Sequence, residues 1–392
     1  METRKMVLKN AMVLAEDKLF ENGYVEIAGE VISNVGAVDE YTNSKDAIEY
    51  QFPDNYIIVP GFIDLHIHGT SGADVMDGSI ESLEIIARAL PEEGTTSFLA
   101  TTMTSRRELI ERALATIAKF RGNKRLGCAQ LLGVHLEGPF LSHKRAGAQP
   151  IEHILQPSIE VFQRWQRIAG GTIRLVTLAP EMKNALQLIR YLRDAGVIVS
   201  IGHSNATYED AVKAINYGIN HCTHLFNGMN GLHHREPGIV GAVFLEEDVR
   251  CEIIADGIHV RPEVIKLAYK IKGRNGIILI TDGIRAKCLG PGIYELAGQK
   301  VNVDHEKAVL QDGTLAGSVL RMIDAVRNMM KFTNCQFTEA VQMATVNAAK
   351  QLGIFHRKGS IAVGKDADIV VLNHRLEVAM TICRGHVAYV DM

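Results

Sequence analysis

Short apolar runs bounded by turn residues alternate with longer stretches of mixed polar and apolar positions from residue 57 to residue 330. The runs 57–68, 95–103, 130–137, 173–179, 197–203, 221–226, 250–256 and 277–282 have the length and β-branched content of buried strands. The stretches 79–92, 105–120, 158–168, 181–195, 207–217, 262–271 and 318–330 repeat apolar positions with helical spacing. An irregular Gly- and His-rich loop follows the sixth strand. Residues 290–315, after the eighth, predict an inserted β-hairpin. Eight strands with intervening helices predict an α/β fold, a (β/α)8 TIM-like barrel over residues 59–358.

The two ends of the chain show a different pattern. Val25, Ile27, Val31 and Ile32 flank Ala28-Gly29-Glu30, which predicts a hairpin. Residues 368–372 predict a strand and 378–389 a second hairpin, centred near Arg384-Gly385. Neither end carries enough apolar surface for a core of its own. Residues 1–58 and 359–392 together predict one small β-sandwich domain beside the barrel.

Composition narrows the function classes. The 392 residues are 47% hydrophobic and 22% charged, with a net charge of −3. That balance gives no electrostatic footprint for nucleic acid or an anionic membrane. No window approaches a transmembrane helix, and charges interrupt the apolar stretch at the amino terminus, unlike a signal peptide. Cys128, Cys222, Cys251, Cys288, Cys335 and Cys383 form no C-x-x-C pair. They read as reduced, mostly buried thiols of a cytoplasmic protein.

Chemistry concentrates at the carboxyl ends of the predicted strands, where barrel active sites are built. His66 and His68 end the first strand, two apart and therefore on one face. An H-x-H pair alone is more often chance; at a barrel rim it suits a metal. Glu137 ends the third strand, and His203 and His224 lie at the fifth and sixth. Each histidine alone reads as readily as a core residue, but together they make a nitrogen and oxygen ligand set for Zn²⁺, Fe²⁺, Mn²⁺ or Co²⁺. Asp282 ends the eighth strand. A bound divalent ion lowers the pKa of water from about 16 to roughly 7, and a carboxylate beside it can move the proton. His135 shares the face of Glu137 and reads as a buried support; His221, assigned to the face opposite His224, reads as structural.

Other positions read less sharply. Backbone N–H groups at Asn227 and Gly228, and the guanidinium of Arg235, can bind an anion, although by themselves they read more readily as a surface loop with a solvated arginine. His143, Lys144 and Arg145 add positive charge near the same rim. His259 can bond a sugar hydroxyl.

The chain resembles the amidohydrolase superfamily and, within it, the N-acetylglucosamine-6-phosphate deacetylases. The resemblance runs along nearly the whole chain. Its carriers are residues 60–69 (PGFIDLHIHG), 135–140 (HLEGPF), Gly202-His203-Ser204, 223–227 (THLFN), 235–238 (REPG), 255–259 (ADGIH), Thr281-Asp282, 315–318 (LAGS) and 364–368 (GKDAD). It implies that Glu137, His203 and His224 hold a principal ion and that His66 and His68, sharing Glu137, complete a second position. Members lacking the two first-strand histidines use one ion; here one or two are open. Asp282 would be general base and then acid. Asn227, Gly228, His259, His143 and Ala316 would line the substrate site. Arg235 would reach the active site of the neighbouring subunit to bind phosphate, which implies a homodimer.

Two departures stand out. Gln149 replaces a histidine that polarises the acetyl carbonyl in some relatives; it can donate a hydrogen bond but no charge. Arg285 and Lys287 add two cations near the rim. The implied activity is hydrolysis of the N-acetyl group of N-acetylglucosamine 6-phosphate. The galactosamine epimer or another N-acyl amino-sugar phosphate is the alternative. A cyclic amidase would have a carbamylated lysine where Glu137 stands. A non-catalytic, structural relative would have lost ligands that this chain keeps.

Overall fold

The computed structural model describes residues 5–42 and 47–391. Residues 1–4, part of the amino-terminal segment read above, lie outside them. Eight strands, Phe62–Ile67, Thr95–Thr102, Gln130–Glu137, Ile173–Leu178, Ile198–Ile201, His221–Cys222, Arg250–Ile254 and Ile277–Ile280, pair in parallel and in chain order. The sheet closes just beyond the eighth strand. Asp282 N donates to His66 O at 2.8 Å, and His68 N donates to Gly283 O at 2.9 Å. The residues that close the barrel are therefore two of the predicted ligands and the predicted base.

Apolar and polar positions alternate along the strands although both are buried. Ile63, Leu65 and Ile67 alternate with Asp64 and His66, and Val134 and Leu136 with His135 and Glu137. The apolar set belongs to the large core shared with the surrounding helices. The polar set points into the barrel, because its hydrogen bonds span strands that are not neighbours. Thr177 Oγ1 lies 2.7 Å from Thr223 Oγ1, and His66 Nδ1 lies 3.0 Å from Glu252 Oε2. This barrel is filled by a polar network below its mouth, in which His135 Nδ1 and His221 Nδ1 have no partner, rather than only by the branched aliphatic layers common to such folds.

Helix starts follow sequence chemistry. Ser79, Ser158 and Thr207 cap their helices by accepting from Ser82 N, Val161 N and Asp210 N. The fourth helix begins at Ala185 rather than residue 181. Three helices were not anticipated. Gly238–Leu245 is apolar on every side and buried as far as Val243, so it carries no 3.6-residue stripe to read. Phe337–Ala344 and Val346–Gln351 follow the last barrel helix, Met322–Thr333, and are short.

Strands from both termini join one continuous eight-stranded sheet. It encloses its own core, including Met6, Leu8, Ile27, Ile58, Ile369 and Ile382. Strands Leu19–Ala28 and Val31–Ala37 form the expected hairpin, with Gly29 at φ +64° in its turn. The run 57–68 is two strands, not one: Ile57–Pro60 pairs in the terminal sheet and Phe62–Ile67 in the barrel. The break falls at Gly61, where a Cβ would lie 2.2 Å from Thr96 Oγ1, so the crossing from one sheet to the other leaves no room for a side chain. The insertion is also richer than a hairpin. Gly292–Leu296, Gln299–Val303 and Ala308–Val309 form a three-stranded antiparallel sheet over a small apolar cluster. Among the described residues no helix is long and apolar enough to cross a membrane. The six cysteines are unpaired, five of them buried and Cys288 exposed.

Candidate metal centre

Four imidazoles and two carboxylates from five strand ends converge at the barrel mouth. Glu137 Oε1 lies 3.2 Å from His203 Nε2 and 3.1 Å from His224 Nε2. Asp282 Oδ1 lies 3.4 Å from His66 Nε2 and 3.2 Å from His68 Nε2. Glu137 also spans the two groups, with Oε1 3.4 Å from His66 Nε2 and Oε2 3.4 Å from His68 Nε2. The donor atoms at the mouth thus form two triads, Glu137/His203/His224 and His66/His68/Asp282, and a third group, His66/His135/Glu252, shares His66 with the second.

The outward hydrogen bonds decide what the inward atoms can do. His203 Nδ1 faces Arg145 O at 3.0 Å, His224 Nδ1 faces Asn227 O at 3.2 Å, and His68 Nδ1 faces Thr101 O at 3.2 Å. A carbonyl oxygen only accepts, so each Nδ1 carries a proton and each Nε2 presents a lone pair when the ring is neutral. Glu252 Oε2 does the same for His66 Nδ1 at 3.0 Å. The Nε2 atoms then meet in pairs, 3.1 Å apart for His203 and His224 and 3.3 Å apart for His66 and His68. Facing lone pairs at such distances repel unless positive charge lies between them. Histidines oriented through Nδ1 onto a carbonyl or carboxylate are the arrangement that suits metal ligation.

The electrostatics make the same demand. Burial opposes protonating His68, yet its bonds to Asp282 and Glu137 lift its pKa to about 9. Burial likewise opposes ionising Glu137, but the positive charge of His66 and the bond from His203 hold its carboxyl well below the usual range. Asp282 follows the same logic: burial raises its pKa, and His66 and His68 outweigh that and keep it ionised. A buried group of carboxylates that draws protons onto neutral rings is a site that takes cations. The all-nitrogen and oxygen donor set fits a divalent ion of the zinc, iron, manganese or cobalt kind.

The backbone is bent to achieve this. His203, His224 and Asp282 have φ of +45°, +27° and +50°, a region costly for residues with a Cβ. Each sits one or two residues past its strand, where the chain turns sharply. The predicted sixth strand accordingly ends at Cys222 instead of residue 226. That turn also corrects the reading of His221. It lies in the barrel interior with Nε2 3.0 Å from Glu252 Oε1, not on the face opposite the site. Strand alternation does not extend through a left-handed residue.

His135 is a fully buried support, as expected. Its ring packs edge-on against His66 at 4.5 Å between centroids, and Nε2 bonds Thr177 Oγ1 at 2.7 Å. Burial, with the charge of His66 beside it, pushes its pKa down to about 3, so it stays neutral.

The remaining candidates divide. Gln149 is at the site, but its amide is engaged: Nε2 donates to Glu137 Oε2 at 2.7 Å and Oε1 accepts from Thr104 N at 2.8 Å. Asn227 and Gly228 sit on the turn beside His203 and His224, and the Asn227 carbonyl orients His224. His259 is locked to Asp256 Oδ2 through Nδ1 at 2.6 Å; burial disfavours its charge, but this bond more than offsets that and raises its pKa. Arg235 is exposed, its Nη1 2.7 Å from His234 Nε2, and is not part of the donor cluster. His143 is exposed on the turn His143–Arg145. Ala316 is buried in the apolar cluster under the insertion, and its N–H is spent on Ala308 O at 3.0 Å, so it offers no free donor. The two extra cations are not free either. Lys287 is fully buried with Nζ 2.7 Å from Glu93 Oε1, and Arg285 Nη2 bonds Asp77 Oδ1 at 2.9 Å.

Sequence reasoning missed Glu252 and Asp64. Glu252 is a lone acid within an apolar strand, and its tie to His66 is long-range. Asp64 accepts from Thr281 Oγ1 at 2.6 Å and from His66 N at 3.2 Å, bracing the seam between first and eighth strands. An acid inside a strand that must be buried on both faces was the available signal for each.

Comparisons with known proteins agree with this geometry. A model of the Amidohydrolase family matches residues 57–388. The N-acetylglucosamine-6-phosphate deacetylase of Bacillus subtilis (strain 168) is 48% identical, over 98% of this chain and 98% of its own. The N-acetylgalactosamine-6-phosphate deacetylase of Escherichia coli O157:H7 is 36% identical, over 97% of this chain and 99% of its own. The crystal structure of N-acetylglucosamine-6-phosphate deacetylase from Pasteurella multocida superposes with a TM-score of 0.92 at 31% identity, over 98% of this chain and 99% of that one.

Gln149→Leu should remove the amide donor from Glu137 Oε2, leaving it only His68, and leave Thr104 N without its acceptor. We expect a stability loss of about 1–3 kcal/mol for the orphaned groups and divalent-ion affinity about 10–100-fold weaker. Denaturant melts and competition titrations against a chelator measure both; unchanged ion affinity would mean that Gln149 does not position Glu137.

Proposed function

This chain belongs to the amidohydrolase family, and on that premise we propose that it hydrolyses the N-acetyl group of N-acetylglucosamine 6-phosphate to glucosamine 6-phosphate and acetate. The observation that carries the reading is the convergence of four Nε2 lone pairs on Glu137 and Asp282 at a barrel mouth. The 48% identity to an enzyme of that name over nearly the full length supplies the substrate class.

Glu137, His203 and His224 would hold one divalent ion. His66 and His68, with Glu137 shared, would hold a second. An ion there supplies Lewis acidity, acidifying water and polarising an acyl carbonyl. The protein supplies the proton transfers. Asp282 is ionised and at the rim, so it can take a proton from attacking water and return it to the departing sugar nitrogen. The amide C–N bond breaks, the amine leaves neutral with the proton Asp282 returns, and the acyl group leaves as acetic acid with the water oxygen and its second proton, which it then loses to solvent to give acetate. Asp282 needs no large motion for this, because its backbone is fixed at both sides: its N–H donates to His66 O and its carbonyl accepts from Ser318 N, both at 2.8 Å.

Asn227, Gly228 and His259 flank the cluster on the side of the sixth and seventh strands and are assigned to the sugar phosphate. Gln149 is assigned to holding Glu137, with carbonyl polarisation left to the ion. Arg235 is assigned to the phosphate of the neighbouring subunit's substrate, in a homodimer. Its exposure on a loop outside its own cluster supports that assignment. The unpaired cysteines support a cytoplasmic setting. The Escherichia coli relative keeps the galactosamine epimer as the alternative substrate.

The test is acetate release from N-acetylglucosamine 6-phosphate, its galactose epimer and unphosphorylated N-acetylglucosamine, with and without chelator. Chelator-sensitive release from the first, well above the other two, is expected; preference for the epimer would transfer the assignment to it. Asp282→Asn should lower kcat by about 10²–10⁴-fold while the Glu137 triad keeps its ion by elemental analysis. Retained turnover would remove Asp282 from the chemistry. Arg235→Ala should raise KM for the phosphorylated sugar far more than for the free sugar, and equal effects on both would show that Arg235 does not read phosphate.

A further inference from the structure

Glu252 stands in the middle of the seventh strand, fully buried, outside the two mouth triads but grouped with His66 and His135. Its Oε2 accepts from His66 Nδ1 at 3.0 Å and from His224 N at 3.2 Å. Its Oε1 takes His221 Nε2 at 3.0 Å. His66 belongs to one triad and His224 to the other. A single oxygen therefore fixes the ring of a donor in one set and the backbone of a donor in the other.

Both contacts are consequential. The bond to His66 Nδ1 fixes that ring's tautomer and turns its Nε2 lone pair inward. The bond to His224 N supports a residue at φ +27°, which holds that conformation only where its surroundings impose it. His221 touches neither triad; it pins the far oxygen of Glu252 and so sets where the near one points. A carboxylate buried this deeply is strongly unfavourable unless it is paired, and a branched aliphatic residue would fill the same space, as Ile253 and Ile254 do beside it.

We propose that Glu252 is the positioning residue that couples the two cation positions, so that both depend on one buried carboxylate. The inference rests on the reading that the triads hold divalent ions. It differs from a merely structural role in requiring that ion affinity fall at both positions while the fold is kept.

The experiment titrates Co²⁺ into chelator-stripped protein and follows visible absorption and bound-ion content. Each position is read alone, the first in a His68→Ala background and the second in a His203→Ala background. Adding Glu252→Gln should weaken Co²⁺ binding about 10–100-fold in both backgrounds, with the circular dichroism of the chelated protein unchanged. Weakening in one background alone, or in neither, overturns the coupling. Should Glu252→Gln not fold, ¹⁵N spectra of histidine-labelled His68→Ala protein decide the matter. Filling the remaining position with diamagnetic Zn²⁺ should move the ring signals of His221, whose Nε2 bonds Glu252; stationary His221 signals overturn the proposal. If the unsubstituted protein binds no Co²⁺, the metal reading and this inference fall together. If it binds Co²⁺ and Glu252→Gln binds it equally well, only the coupling falls.

Discussion

Negative charge held where water cannot reach it is the constraint on which this structure depends. Glu137, Asp282 and Glu252 lie within one barrel, almost or wholly shielded from solvent. Isolated carboxylates in such surroundings would be prohibitively unfavourable. The chain answers with imidazoles, placing His66, His68, His203 and His224 against the mouth-side acids and His66 and His221 against the deeper one. Rings whose outer nitrogens are committed to carbonyls have only lone pairs left for one another. Protons drawn onto those rings or a bound cation supply the balancing positive charge, and a site that attracts such charge is prepared to use a cation.

The fold serves that constraint in two ways. The barrel carries the donors on five separate strand ends, so no short segment of chain could assemble them. It also closes through the donors themselves, since Asp282 N bonds His66 O and Asp64 ties His66 N to Thr281. Strain is concentrated at the same ends. Three of the site residues sit at positive φ, each roughly a 1–3 kcal/mol liability, and each is braced: His203 by Arg145 O, His224 by Glu252, and Asp282 by the strand seam. Such strain persists because the surrounding barrel over-determines it. The small terminal sheet contributes support rather than chemistry, meeting the barrel at Gly61, whose N–H donates to Asp368 O at 2.9 Å.

Much of this was legible in the chain. Periodicity gave the eight strands and most helices because buried parallel strands read as apolar runs and surface helices as stripes. The donors His66, His68, Glu137, His203, His224 and Asp282 were visible because each is a polar residue ending such a run. Less legible was whatever broke the local rule. The all-apolar helix Gly238–Leu245 has no stripe, and the third strand of the insertion is two residues long. His221 was assigned to the wrong face because alternation was carried through a left-handed turn at His224 that no local pattern announces.

The sequence by itself indicated the eight barrel strands, most of the helices and the polar side chains that meet at the mouth, since these follow from local spacing and side-chain chemistry. Only the tertiary structure decided how those donors are held. Gln149 grips Glu137 across 12 residues, and Glu252 grips His66 across 186. Lys287, which reads as a rim cation, disappears into a pair with Glu93 194 residues away. A hydrogen bond between distant residues leaves no periodic trace in either segment. It exists only once packing has brought both ends together and removed the water that each would otherwise prefer.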